Sequence, residues 1–366
     1  MDDPSVLYVT PLYTEASEGR LARFHDLVGE IDRRGEIDFR VLNLTTRGGH
    51  EQEDAIRPAR SRRSFLRALY QDSPNYDLVH VVSTGSVVAA WLATGVIRNP
   101  NVVVGPTILG YEPSRPGPRY DLRSAPAGRA AKFTVDRLAR RVLLSERSPV
   151  SKRFDAVFAL GRYHRELLRE MGVPDSKIVV LPPGVDDRVF APEGERYCGD
   201  RDLTLLYVGP NSRHKGYDVF LEALRRLGGR LDVEAIMVGG DPPDIDLPDS
   251  VTVLGYRPRG ELAALYRGAD LYVQPSHDEV VPTTMVEALA CGTPVVATDR
   301  LGFSECKRGE NCLLFPRADA GALAERIKAY AANRAVHDEA AMANHGEYAI
   351  ARTYETLVEA YERMLV

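Results

Sequence analysis

The sequence is short of the features that mark a secreted, membrane-spanning or metal-held protein. Its 366 residues include only four cysteines (Cys198, Cys291, Cys306 and Cys312), with no Cys-x-x-Cys pair and no histidine companions at zinc spacing. A disulfide framework and a structural zinc site are therefore not expected, and free thiols in a reducing compartment are. No apolar run approaches the ~20 residues that span a bilayer. The opening, MDDPSVLYVTPLY, is acidic and passes straight into a strand pattern, so it is not expected to be a signal peptide. These absences describe a cytoplasmic protein that does not cross a membrane, with peripheral attachment to the inner face left open.

What is present is a mixed, soluble composition, 44% hydrophobic and 27% charged, with a length that predicts two domains. The charge is uneven: residues 1–190 sum to +4 and the remainder to −9. The basic excess lies in RPARSRRSFLRALY (57–70), with Arg57, Arg60, Arg62, Arg63 and Arg67, and in 115–153. Two readings stand, a solvated arginine-rich surface or a surface that meets an anionic membrane. Nucleic acid is not an expected partner, because the basic segments lack interleaved aromatics and the net charge is −5.

Strand-like runs alternate with helical patterns along the whole chain, which predicts an α/β protein with doubly wound parallel sheets. The first-half strands are 5–10, 37–44, 76–83, 101–105, 155–160 and 177–182; the second-half strands are 203–209, 233–239, 251–255, 270–275, 293–298 and 311–315. PPGVDDRVFAPEGE (182–195) is too rich in proline and glycine for either element and forms the joint. The expected domains are 1–184 and 185–349, each Rossmann-like. The apolar stripe of a last helix (350–366) needs a home on one of them. A Pro/Gly-rich stretch, 105–129, reads as a functional loop.

Two segments carry the chemistry. In PSHDEVVPTTMVEALACGTPVVATD (275–299), Glu279 falls in the loop after a strand and Pro282 suits a helix's first turn. The amides of Thr283, Thr284 and Met285 would then face the loop, an arrangement that binds phosphate or a sugar hydroxyl. Glu287 follows about one turn on, and a carboxylate accepts from vicinal hydroxyls, so the pair suits a ribose and a hexose. The competing reading makes Glu279 a helix-dipole partner and Glu287 a surface residue. In LLYVGPNSRHKGYDVFLEAL (205–224), a strand ends at Gly209, a polar loop carries Arg213 and Lys215, and Gly216 opens a helix. Cations beside a helix N-terminus suit a diphosphate.

Together these segments resemble the GT-B-fold, family-4 retaining glycosyltransferases. The resemblance rests on the Glu-x7-Glu spacing of Glu279 and Glu287, on YVGPNSRHKGYDVFLEAL, on LPPGVDDRVFAP and on LGYRPRGELAALYRGADLYVQPS, in that family's order. It is close over roughly 175–315 and architectural before that. It implies two Rossmann-like domains facing a cleft, a UDP- or GDP-sugar held by the second, a glycan or lipid-linked acceptor held by the first, and no cofactor or metal. By the same carry-over Glu287 binds the ribose, Glu279 the donor sugar and Lys215 the diphosphate, while Tyr256 and Arg257 border the base. The last helix would cross back onto the first domain.

Departures from the family are specific. Val280, Val281 and Pro282 replace the usual Gly-Phe-Gly, and Pro210 stands where an arginine is common, so Arg213 is the expected substitute. Glu18-Gly19 replaces a paired-glycine loop, leaving Gly19 as its substrate-side glycine. No histidine occurs near Gly105–Thr107. Asp244–Asp246 reads as loop, His80 as a packed strand residue, His277 as a loop contact of the site, and Cys291 as a small buried residue. Three functions stay open: a hexosyl transfer, a nucleotide-sugar-binding protein without transfer, and an epimerase, for which acid and base groups around the sugar ring are not evident.

Overall fold

The computed structural model describes residues 3–10, 18–44, 56–59, 61–82, 91, 94–105, 148, 152–170, 172–240, 246–277, 279, 281–299 and 310–366. The chain divides into two compact units, Met1–Leu181 with Tyr354–Val366, and Pro182–Thr353.

The first unit runs β1 (Ser5–Thr10), α1 (Glu18–Arg34), β2 (Asp38–Leu44), β3 (Ile56–Ala59), α2 (Arg62–Asp72), β4 (Leu78–Val81), β5 (Val102–Val104), β6 (Ala156–Leu160), α3 (Arg162–Glu170) and β7 (Ile178–Leu181). Its sheet is parallel, in the order β3-β2-β1-β4-β5-β6-β7. Strands buried on both faces explain the unbroken Val/Leu runs: Val6, Leu7, Tyr8 and Val9, like Val102, Val103 and Val104, are all buried.

One strand departs from expectation. The start of the basic segment, IRPA, forms β3 at the sheet edge, where Pro58 is tolerated because an outer strand need not donate on both sides. The rest of that segment is α2, opened by a reciprocal Ser61–Ser64 capping box, with Phe65, Ala68 and Leu69 buried and Arg63 and Arg67 exposed. Arg57 lies in β3; Arg60 and residues 106–147, which include nearly all of the Pro/Gly-rich stretch 105–129, lie outside the described residues.

The second unit runs β8 (Leu203–Val208), α4 (Tyr217–Leu227), β9 (Val233–Val238), β10 (Val251–Val253), α5 (Arg259–Gly268), β11 (Leu271–Gln274), α6 (Thr283–Ala290), β12 (Val295–Thr298), β13 (Cys312–Phe315), α7 (Ala320–Ala332) and α8 (Arg334–Asn344). Its parallel sheet has the order β10-β9-β8-β11-β12-β13. Phe220, Leu221, Leu224, Leu323 and Ile327 from α4 and α7 pack with Leu205, Ala235 and Val273 of the strands in one cluster. Strand order reverses between β8 and β11, so the connections leave to opposite faces there and open a crevice at the strands' C-terminal ends.

The joint is irregular but tied down. Arg267 donates to the carbonyls of Glu195 (2.7 Å), Ala191 (3.2 Å) and Val189 (3.3 Å), and Phe190 is buried edge-on against Tyr266. Final helix α9 (Ile350–Leu365) starts in the second unit and finishes in the first. Its stripe of Tyr354, Leu357, Ala360 and Tyr361 is buried there. The Tyr361 hydroxyl lies 2.7 Å from that of Tyr8 and 2.6 Å from His80 Nδ1, and His80 Nε2 donates to the Gly105 carbonyl. His80 is thus a wholly buried, bonded strand residue, and burial lowers its pKa to about 4.

Candidate functional site

The two loops that flank the β8/β11 switch point are the two segments that the sequence singles out. After β8 the chain passes Gly209 and Pro210 into a 3₁₀ turn, Arg213–Lys215, and enters α4 through Gly216. Gly216 has φ +72°, and a Cβ there would sit 2.1 Å from the Pro275 carbonyl oxygen, so conformation and space both demand glycine. Two residues beyond Pro275, the His277 amide donates to the His214 carbonyl at 3.0 Å. The loops are therefore stitched backbone to backbone, and the side chains follow. Lys215 forms an ion pair with Glu279 in a partly covered setting, 29% and 18% exposed respectively, with His214 Nε2 at 4.0 Å from the same carboxylate. Arg213 opens the turn and is exposed.

Beyond Glu279 the chain enters α6. Pro282 is the residue immediately before the helix, with extended backbone (φ −68°, ψ 124°), one position ahead of the first turn expected for it. The difference favours the site: no side chain caps the helix, and Thr283, Thr284 and Met285 are its first three residues, whose amides have no acceptor within it. The Thr284 hydroxyl is engaged below, 2.7 Å from the Tyr272 hydroxyl and 3.2 Å from Gln274 Oε1, while Gln274 Nε2 donates to Ser276 (2.6 Å). What Thr284 offers a ligand is its N–H. This buried network fixes the turn from β11 into α6.

Glu287 is 6% exposed, which removes the surface reading. Its Oε2 accepts from the Tyr266 hydroxyl at 2.9 Å. Tyr266 is fully buried, and burial together with the Glu287 charge pushes its phenol pKa well above the usual value, so the hydroxyl remains a donor.

Gly209 meets a second glycine that the sequence reading missed. Gly239 (φ +101°) would bring a Cβ within 3.4 Å of the Gly209 backbone, and a Cβ on Gly240 would lie 3.0 Å from the Asn211 amide. Glycines after β8 and β9 thus let the two strand ends approach closely; GG directly after a strand was the available signal. Further along the chain, Tyr256 is 63% exposed after β10, and Arg257 reaches Glu261 at 3.5 Å.

Other candidates fall elsewhere. Gly19 lies in the first turn of α1, in the first unit, and residues 11–17 before that helix are outside the described residues. Asp244 is also outside them, and Asp246 serves through its carbonyl, which accepts from Arg225. Cys291 is buried with its thiol pKa pushed up to about 12, so it is no nucleophile at neutral pH. Among the described residues no three His, Cys, Asp or Glu side chains gather to hold a metal, and no helix is long and apolar enough to cross a membrane.

Comparisons with known proteins give the family and the fold. Residues 11–184 match the glycosyl transferase 4-like domain and residues 202–333 match glycosyl transferases group 1. The chain belongs to the group 1 glycosyltransferase family, and its fold is GT-B. It is 32% identical over 224 residues to the D-inositol 3-phosphate glycosyltransferase of Geodermatophilus obscurus, covering 54% of this chain and 50% of that one. The match thus spans about half of that relative's length. Among solved structures, sucrose-phosphate synthase from Thermosynechococcus elongatus superposes with a TM-score of 0.73 at 18% identity, over 99% of both chains. Anabaena Alr3699/HepE, in complex with UDP-glucose, gives 0.71 at 17% identity over 98% of this chain and 100% of that one.

Proposed function

We propose that the protein is a retaining glycosyltransferase that moves a hexose from a nucleotide-diphosphate sugar, UDP- or GDP-linked, to a glycan or lipid-linked acceptor, without a metal. One observation carries the reading: Lys215 and Glu279 come together from the two loops flanking the switch point, next to the uncapped start of α6 and to buried Glu287.

Lys215 faces the diphosphate and offsets the charge that grows there as the sugar departs. The amides at the start of α6 and Glu279 hold the sugar; Glu287 takes the ribose hydroxyls. In the transfer, the bond between the anomeric carbon and the β-phosphate oxygen breaks. The acceptor oxygen bonds to that carbon on the same face, and its proton passes to the departing phosphate. The protein contributes position and fixed charge, the terms that dominate when no covalent intermediate is used.

The experiment is a thermal-shift screen with UDP-glucose first, then other UDP- and GDP-sugars, followed by turnover of the donor that binds. A donor at 100 times its Kd adds ~2.7 kcal/mol of stability. Turnover in excess EDTA should equal turnover in magnesium, and the product should keep the donor's anomeric configuration. Binding without transfer would make the chain a nucleotide-sugar binder, and release of an epimerised sugar would make it an epimerase.

A further inference from the structure

Glu287 does not choose its own position. Its carboxylate is almost fully covered, and a buried carboxylate stays charged only where donors meet it. The Tyr266 hydroxyl, 2.9 Å from Oε2, is such a donor. That hydroxyl in turn is held from several sides. The ring packs edge-on against Phe190 (centroids 6.1 Å apart) and Tyr272 (5.5 Å), and the Tyr266 carbonyl accepts from Thr293 Oγ1 at 2.7 Å. Arg267, the next residue, is bonded to three carbonyls of the joint. A phenol so constrained cannot follow a wandering carboxylate, so the carboxylate must settle on the phenol.

We infer that Tyr266 is a positioning residue for the donor's ribose: its hydroxyl sets the Glu287 carboxylate in the orientation that accepts the vicinal hydroxyls, and the Phe190 ring keeps that hydroxyl in place. The inference rests on the nucleotide-sugar reading of the site. It adds a residue that touches no substrate and sits 21 positions before the one it serves.

The test uses calorimetry of UDP, GDP and their 2′-deoxy forms with the full chain. For whichever diphosphate binds, the wild type should prefer the ribose form by about tenfold or more, the worth of roughly one charge-assisted hydrogen bond. Glu287→Ala should abolish the preference. Tyr266→Phe keeps the ring and removes the hydroxyl; it should bring the preference down to within about threefold, and it should lower Tm as well, because a buried carboxylate loses a donor. Phe190→Leu should lower the ratio in the same direction by less, which gives a second reading if Tyr266→Phe folds poorly.

A purely structural role predicts that the ribose preference stays at the wild-type value in Tyr266→Phe and Phe190→Leu, however far Tm falls. That result overturns the inference and leaves the donor assignment standing. A wild type that prefers ribose, with Glu287→Ala preferring it equally, removes Glu287 from the ribose and overturns the inference as well. If neither UDP nor GDP binds the wild type, the donor reading itself fails and the inference falls with it.

Discussion

At the scale of single residues, Lys215 and Glu279 present an asymmetry. Lys215 and Glu279 satisfy each other, and on the proposed function a diphosphate has to draw Lys215 away from its carboxylate. Removing the carboxylate's charge therefore has opposite effects on two ligands. Glu279→Gln should bind UDP or GDP alone as tightly as the wild type or more so. Its kcat/KM for the sugar donor should fall by about tenfold or more, because the sugar hydroxyls lose a charged acceptor. Lys215→Ala should weaken both. Arg213→Ala should lose about tenfold, mainly in kcat, because leaving-group charge peaks in the transition state. Calorimetry beside steady-state kinetics reads all three variants; weaker UDP binding in Glu279→Gln would contradict the shared-lysine account, and wild-type kinetics in Arg213→Ala would leave that arginine a solvent-facing residue. The two glutamates and the lysine were marked in the sequence by a strand end and a helix start, which alone left Glu287 equally readable as a surface residue, and by the family resemblance, which singled them out. Tyr266 was not, since it reads there as one apolar position of α5 and only the folded chain brings it to Glu287.

Among elements, the decisive contact is the crossing of the loop before α4 over the loop after β11. Gly216→Ala would force a left-handed residue to carry a Cβ against the Pro275 carbonyl, a backbone atom with little room to yield. The conformational part alone costs ~1–2 kcal/mol. Urea denaturation should show at least that loss, and nucleotide binding should fall further than stability, because the strap that brings Lys215 to Glu279 is opened. Gly260 is a control: a Cβ on it would meet nothing within 4 Å, so Gly260→Ala in α5 should be neutral or slightly stabilising. Element by element, the twelve expected strands were readable, doubly covered ones such as β1 and β5 as unbroken β-branched and leucine runs, and β2 as an alternation in which Phe39 and Val41 are buried and Asp38 and Arg40 exposed. β3 escaped because four residues containing Arg57 and Pro58 carry no such run; only pairing with β2 makes them a strand. Gly209 was marked as a strand end; its partner Gly239 follows β9, and although the GG pair there was a signal, only the sheet order shows that the two glycines meet.

For the molecule as a whole, two buried histidines set an acid limit. His80 is enclosed by Tyr8, Phe158 and Tyr361, and His164 accepts the Leu160 amide on Nδ1; burial lowers both pKa values to about 4. The unfolded chain takes up these protons near pH 6.5, and the folded chain resists until about 4. Stability should therefore fall as pH drops through that window and stop falling from this cause below it. Each site contributes on the order of 3 kcal/mol at most. Asp77, held below the usual carboxylate range by the Ser5 hydroxyl and amide, adds a loss of the same sign at lower pH. Urea midpoints at pH 7 and pH 4.5 should differ clearly in the wild type and less in His80→Gln and His164→Gln. An unchanged difference in both variants would assign the acid limb to other groups.

The returning helix α9 has a consequence for biosynthesis. Tyr361 bonds Tyr8 across 353 residues of chain, and everything that forms the second unit lies between them. A nascent chain leaving the ribosome therefore displays the strands of its first unit with the Tyr8 and His80 side chains still uncovered. The second unit, drawn from one continuous stretch, can close before the unit that was synthesised first. Translation order and completion order are inverted, and a stop codon before residue 354 would leave the older half of the molecule without the helix that covers it.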